Sequence, residues 1–183
     1  MKFIKILLPM LLLFLAVGCA TKSPVVEARN DNRVIFTVAE TGQSVVVEIG
    51  SDYSYDSFVK RSFKGTDFRG YLFRAKDESA ILVSKMPRVE FEDLIGFKLD
   101  APANSVKSYP PKTIFQSHYC KLVRTYVTTL DMDVVSAVKL QTPTTDEALC
   151  SDWTTLDEVM IERFDMLADF DKSADENIRM IVK

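Results

Sequence analysis

The chain has 183 residues, with 23 lysines and arginines against 26 aspartates and glutamates, one histidine and a net charge of −3. That balance argues against nucleic acid or an anionic lipid surface as the main partner, and a lone histidine excludes a histidine-rich zinc site. A hydrophobic content of 47% with 10% aromatics suits one folded domain and argues against a disordered chain.

The first residues have a three-part pattern. Lys2 and Lys5 give a positive start, Ile6 to Val17 is apolar apart from Pro9, and Ala16, Gly18 and Ala20 are small residues around Cys19. The apolar run falls short of the ~20 residues a bilayer-spanning helix needs. It reads instead as a secretory signal peptide. An ordinary signal needs no thiol at its cleavage site, and Ala16-Val17-Gly18-Cys19 resembles the lipobox of bacterial lipoproteins. The leucine which that family prefers at Ala16 stands one residue earlier, at Leu15.

The resemblance covers only the leader. It implies that residues 1–18 are removed and that Cys19 carries diacylglycerol and a further acyl chain such as palmitate. More than one acyl chain is what stable anchoring requires. Ala20, where an aspartate would signal retention in the inner membrane, implies an outer-membrane lipoprotein, expected on the periplasmic face. Residues 19–32 then form the lipidated N-terminus and a polar tether reaching roughly 40 Å, and residues 33–183 the globular domain. Loss of Lys2 and Lys5 leaves the mature chain more acidic still. Cys120 and Cys150 remain, and an even pair in an oxidising compartment predicts a disulfide, with two buried thiols as the alternative.

After the tether, "RVIFTVAE" and "SVVVEIG" alternate around Thr41-Gly42-Gln43 and read as a hairpin. "DSFVKRSF", "DFRGYLFRAK" and "SAILVSKM" follow as strands separated by Lys64-Gly65-Thr66 and Lys76-Asp77-Glu78. "VEFEDLIGFKL" reads either way, and "DAPANSVKSYPPK" reads as a loop stopped by Pro110-Pro111. Residues 113–130 have helical spacing but β-branched and aromatic content; strand is favoured, because "DVVSAVKLQTP" beyond Asp131-Met132-Asp133 would complete a hairpin. Thr155 and Glu158 form a capping box before a helix bearing Leu156, Val159, Met160, Phe164, Leu167 and Phe170. Ser173 and Glu176 repeat the pattern for a second helix ending in Met180-Ile181-Val182. The expected fold is α+β: a single domain with an antiparallel, meander-like sheet and a C-terminal pair of helices.

Four constellations bear on chemistry. Ser57-Phe58-Val59-Lys60 and Ser136-Ala137-Val138-Lys139 match S-x-x-K, but the supporting motifs of penicillin-recognising enzymes are missing and both matches lie on predicted strands. His118 and Cys120 are two apart, yet a disulfide-bonded cysteine is no nucleophile. Asp169, Asp171, Ser173 and Asp175 mimic an EF-hand loop without its glycine or its bidentate glutamate, so no metal or other cofactor is expected. Lys60, Arg61, Lys64, Arg69 and Arg74 interleave with aromatics including Tyr71, a pattern suited to an envelope protein's acidic surface or an anionic glycan. No catalytic set emerges. The leading expectation is a non-catalytic lipoprotein, attached to the membrane by its lipid, that binds another cell-envelope component in an assembly or scaffold role. A small-ligand or lipid carrier is the second expectation and a periplasmic hydrolase the third.

Overall fold

The computed structural model describes residues 25–63, 66–102, 104–116, 120–143 and 160–183. The leader, Lys64, His118 and Cys150 lie outside them. Two antiparallel sheets face each other. The smaller contains β1 (Val25–Asn30), β2 (Arg33–Val38), β3 (Ser44–Ile49) and β10 (Ile178–Val182), in the order β1-β2-β3-β10. The larger contains β4 (Tyr53–Phe63), β5 (Thr66–Ala75), β6 (Ala80–Pro87), β7 (Lys107–Gln116), β8 (Lys121–Leu130) and β9 (Asp133–Gln141), in the order β4-β5-β6-β9-β8-β7.

The alternation of β2, with Val34, Phe36 and Val38 buried, turns one face of the small sheet inward. Val45, Val47 and Ile49 of β3 and Ile178 of β10 join them, and Phe73, Ile81, Val83, Leu130, Val135 and Ala137 of the large sheet meet this face in one core. The opposite face of the large sheet is covered in part by α1 (Arg88–Ile95) and the segment after it, with Met86, Phe91, Leu99 and Val134 forming a second cluster. Helix α2 (Met160–Asn177) packs on β8 and leads straight into β10. No helix among the described residues is long and apolar enough to cross a membrane.

The α+β class holds, as do the hairpins β2–β3 and β8–β9, the latter closed at Asp131-Met132 with Asp131 in the left-handed region (φ 56°). Four expectations are corrected. There are two sheets rather than one meander, because β10 returns to pair with β3 from Ile178↔Ile49 to Val182↔Val45. Met180-Ile181-Val182 is therefore strand, and Ser173 lies inside α2 rather than capping a second helix. The tether is folded from Val25, where β1 pairs with β2. Pro110-Pro111 lies within β7, which tolerates two missing donors because it is an edge strand with a register shift between Tyr109 and Lys112. Residues 113–130 contribute to two strands, β7 and β8, with Cys120 at a left-handed turn position (φ 45°).

Candidate functional site

The basic strands do not make one surface. Lys60 stands opposite Arg69 and Phe58 opposite Tyr71, whereas Arg61 stands opposite Phe68 and Arg74 opposite Ser54. Side chains alternate across a strand, so Lys60, Arg69 and Tyr71 share one face and Arg61 and Arg74 the other. Tyr71 packs edge-on to Phe58 and against the sandwich core, and burial raises its pKa, with help from Glu27. Arg74 is tied to Asp56 at 3.4 Å. The sequence showed the composition of this region but not its register, which a bulge between Tyr55 and Ser57 also shifts.

The other motifs separate in the same way. Ser136 and Lys139, three apart on β9, point to opposite faces, and Ser136 exchanges a hydrogen bond with Ser84 at 2.9 Å. Ser57 donates to Asp56 at 2.9 Å and does not face Lys60. Asp169, Asp171, Ser173 and Asp175 lie on the continuous helix α2, not on a calcium loop, and Asp171 and Asp175 are held by Arg124 at 2.8 and 2.9 Å. No cluster suited to a metal ion occurs among the described residues.

The large sheet's outer face instead carries an apolar groove of about 430 Å³. Phe91 and Ile95 of α1, Phe97 and Leu99 after it, Ile114 of β7 and Val127 of β8 line it. It stays open because α1 is only two turns long and ends at Gly96, whose left-handed φ of 77° turns the chain away. The following segment is tied down by Glu92, which binds Arg88 Nε at 2.7 Å and accepts from the Leu99 amide at 3.0 Å. Those donors, Arg88 first, hold the Glu92 carboxyl down at about 2. Arg88 in turn donates to the carbonyls of Leu99 and Ala101. A rigid polar strap thus supports an apolar wall in which Phe97 is 55% and Ile114 45% exposed. Lys112 stands at the groove on the exposed side of β7 and makes no ion pair among the described residues. No family model, no curated protein and no solved structure matches this chain.

A second cluster lies where α2 crosses the large sheet. Arg124 and Lys139 are directly opposed on β8 and β9. Arg124 binds Asp171, Asp175, Thr113 and Tyr126, and Tyr126 donates to Asp175 at 2.5 Å. Lys139 is 1% exposed, donates to Ser173 Oγ at 2.6 Å and lies 5.2 Å from the centre of the Phe170 ring. Burial lowers its pKa, opposed by the charges of Asp77 and Glu176. Beside it is a cavity of about 550 Å³ lined by Asp77, Leu122, Gln141, Asp169, Phe170 and Ser173 among others. Sequence reading missed both places. The groove's only trace was the apolar but ambiguous run "VEFEDLIGFKL", and the Lys139 signal was a lysine inside the β-branched run of β9.

Proposed function

We propose that this protein is an outer-membrane lipoprotein, anchored through Cys19 and facing the periplasm, that binds an anionic amphiphile of the cell envelope by its acyl chain. The single observation that carries the reading is the apolar groove between α1 and the large sheet. Its volume falls within the range of small-molecule pockets, and such pockets combine apolar walls with a few polar groups that orient the ligand. Lys112, free of an acidic partner among the described residues, suits a phosphate or carboxylate head at the groove. Burying about ten methylenes at ~0.8 kcal/mol each gives roughly 8 kcal/mol before the cost of ordering the ligand. Micromolar binding at best follows, which suits capture and release more than permanent storage.

The split of the basic strands over two faces favours this reading over docking of an envelope protein through Lys60, Arg61, Lys64, Arg69, Arg74 and Tyr71. The leader supports the anchor and the export route. With Cys19 assigned to lipid, Cys120 and Cys150 are the remaining pair, and an even pair in an oxidising compartment supports a disulfide between them. Such a bridge would stabilise the domain by roughly 3–4 kcal/mol in the chain-entropy model.

Native mass spectrometry of protein extracted from membranes in mild detergent tests the ligand reading. Wild-type protein is expected to retain an acyl-bearing anion and Ile114→Glu to lose it. Protein that is repeatedly empty and takes up no fluorescent fatty acid would overturn the proposal.

A further inference from the structure

The hydroxyl of Ser173 and the amine of Lys139 form a hydrogen-bonded pair 2.6 Å apart at the wall of a cavity separate from the apolar groove. From that geometry we propose a second site, in which Ser173 is an acyl-accepting nucleophile and Lys139 its general base. A serine hydroxyl is a weak nucleophile on its own. It is activated when a base within hydrogen-bond reach can take its proton and a third group orients or stabilises that base.

The three parts are present in this chain. Ser173 lines the cavity. Lys139 is 1% exposed, and no carboxylate lies within 4.0 Å of its amine among the described residues, so burial disfavours its charged form and eases its release of a proton as pH rises. The charges of Asp77, also on the cavity wall, and of Glu176 act on Lys139 against the effect of burial, and neither pairs with it within 4.0 Å. The Asp77 carboxylate is itself fixed by the amide and hydroxyl of Ser79 at 3.0 and 2.6 Å, and Ser79 contacts the Tyr53 hydroxyl at 2.7 Å. The resulting order, serine, lysine, then a carboxylate seated by buried hydroxyls, is drawn from α2, β9 and the β5–β6 turn. No sequence motif would reveal it.

The chemistry balances with water as the co-reactant. Ser173 Oγ bonds to the acyl carbon of an ester as its proton passes to Lys139 Nζ. The acyl–oxygen bond then breaks, and the leaving alkoxide takes the proton back from the lysine. Water attacks the acyl-serine, gives its proton to Lys139, and the departing Ser173 oxygen recovers it. Gln141, the neutral amide among the cavity residues named, is the candidate donor to the carbonyl oxygen as charge develops. Asp77, Asp165 and Asp169 surround the space while Leu122, Met166 and Phe170 supply its apolar part. The substrate class is therefore a neutral or cationic ester with a small apolar acyl group, and anionic esters are excluded by charge.

The test is labelling of the full lipidated protein in detergent with a fluorophosphonate, read by intact mass and peptide mapping, and turnover of p-nitrophenyl acetate. Wild-type protein is expected to carry one adduct, on Ser173. Lys139→Met should fold normally by circular dichroism yet label and turn over at least ~100-fold more slowly, the usual contribution of a positioned base. The wild-type labelling rate should rise with pH along one base titration that Lys139→Met lacks. An unlabelled Ser173, or a Lys139→Met protein that labels at the wild-type rate, would overturn the proposal. Neither result bears on ligand retention in the apolar groove.

Discussion

Replacing Lys139 by methionine should make the protein more stable at neutral pH. The lysine is 1% exposed, and among the described residues its amine has one hydrogen bond, to Ser173, and no carboxylate partner. Methionine keeps the unbranched stem and its contact with Phe170 while removing a group that burial penalises. Replacing buried charged groups by apolar residues of similar volume is neutral to stabilising by ~1–4 kcal/mol. The Ser173 hydroxyl and the Phe170 ring offset part of the penalty here, which sets the expectation at about 1–2 kcal/mol. For a chain of this size that is a rise in melting temperature of about 2–8 °C.

The pH dependence is diagnostic. Burial lowers the folded-state pKa of Lys139 below the ordinary lysine value of 10.5, so the unfolded chain binds the extra proton between those two values. Wild-type stability from this group therefore rises with pH through that window, and the penalty is full below it. The advantage of Lys139→Met should be largest at neutral pH and shrink toward pH 10.5. Thermal melts of both proteins from pH 6 to pH 10 measure it. A variant destabilised by more than 1 kcal/mol, or a gap that does not change with pH, would refute the reasoning.

Arg124→Met should act in the opposite direction. It leaves Asp171 and Asp175 without their cation, but their side chains are 37% and 51% exposed, so solvent limits the loss to about 1–3 kcal/mol, below the cost at a fully buried pair. A double-mutant cycle with Asp175→Asn by urea denaturation checks it, and zero coupling would show that Arg124 does not hold α2. Glu92, held down at about 2, stabilises the fold above the ordinary carboxylate value of 4.5 and loses that contribution as pH falls through about 2. Melting temperatures of wild type and Glu92→Gln should accordingly converge on acidification from pH 5 to pH 2. Gly70→Ala should cost about 1–3 kcal/mol, because an added Cβ would lie 2.6 Å from the Val83 carbonyl oxygen and 2.8 Å from Leu82 Cδ1, where β5 and β6 run together. An unchanged denaturation midpoint would show that the strands part easily there.

Much of the chain was legible locally. The alternation of "RVIFTV" and the β-branched run of "SVVVEI" announced β2 and β3, and Asp131-Met132 announced the β8–β9 turn, because a half-buried strand writes its period of two directly into the residues. The leader's pattern of charge, apolar run and cysteine is likewise a matter of sequence alone. The apolar, basic and acidic character of each segment, and the parity of the cysteines, are properties of the sequence alone.

The tertiary structure decided which faces meet. "IRMIV" has apolar residues compatible with a helix end, and only the free edge of β3 makes it β10. Ser173 looked like a helix cap until α2 ran through it and turned its hydroxyl to Lys139. Five cations close in sequence read as one patch, yet cross-strand register sends Arg61 and Arg74 to one face and Lys60 and Arg69 to the other. The groove beneath α1 and the seam beneath α2 both join residues from elements far apart in the chain. Local periodicity says which side of a segment is apolar, whereas the partner that covers that side is selected by long-range pairing, where a shift of a single residue exchanges the two faces.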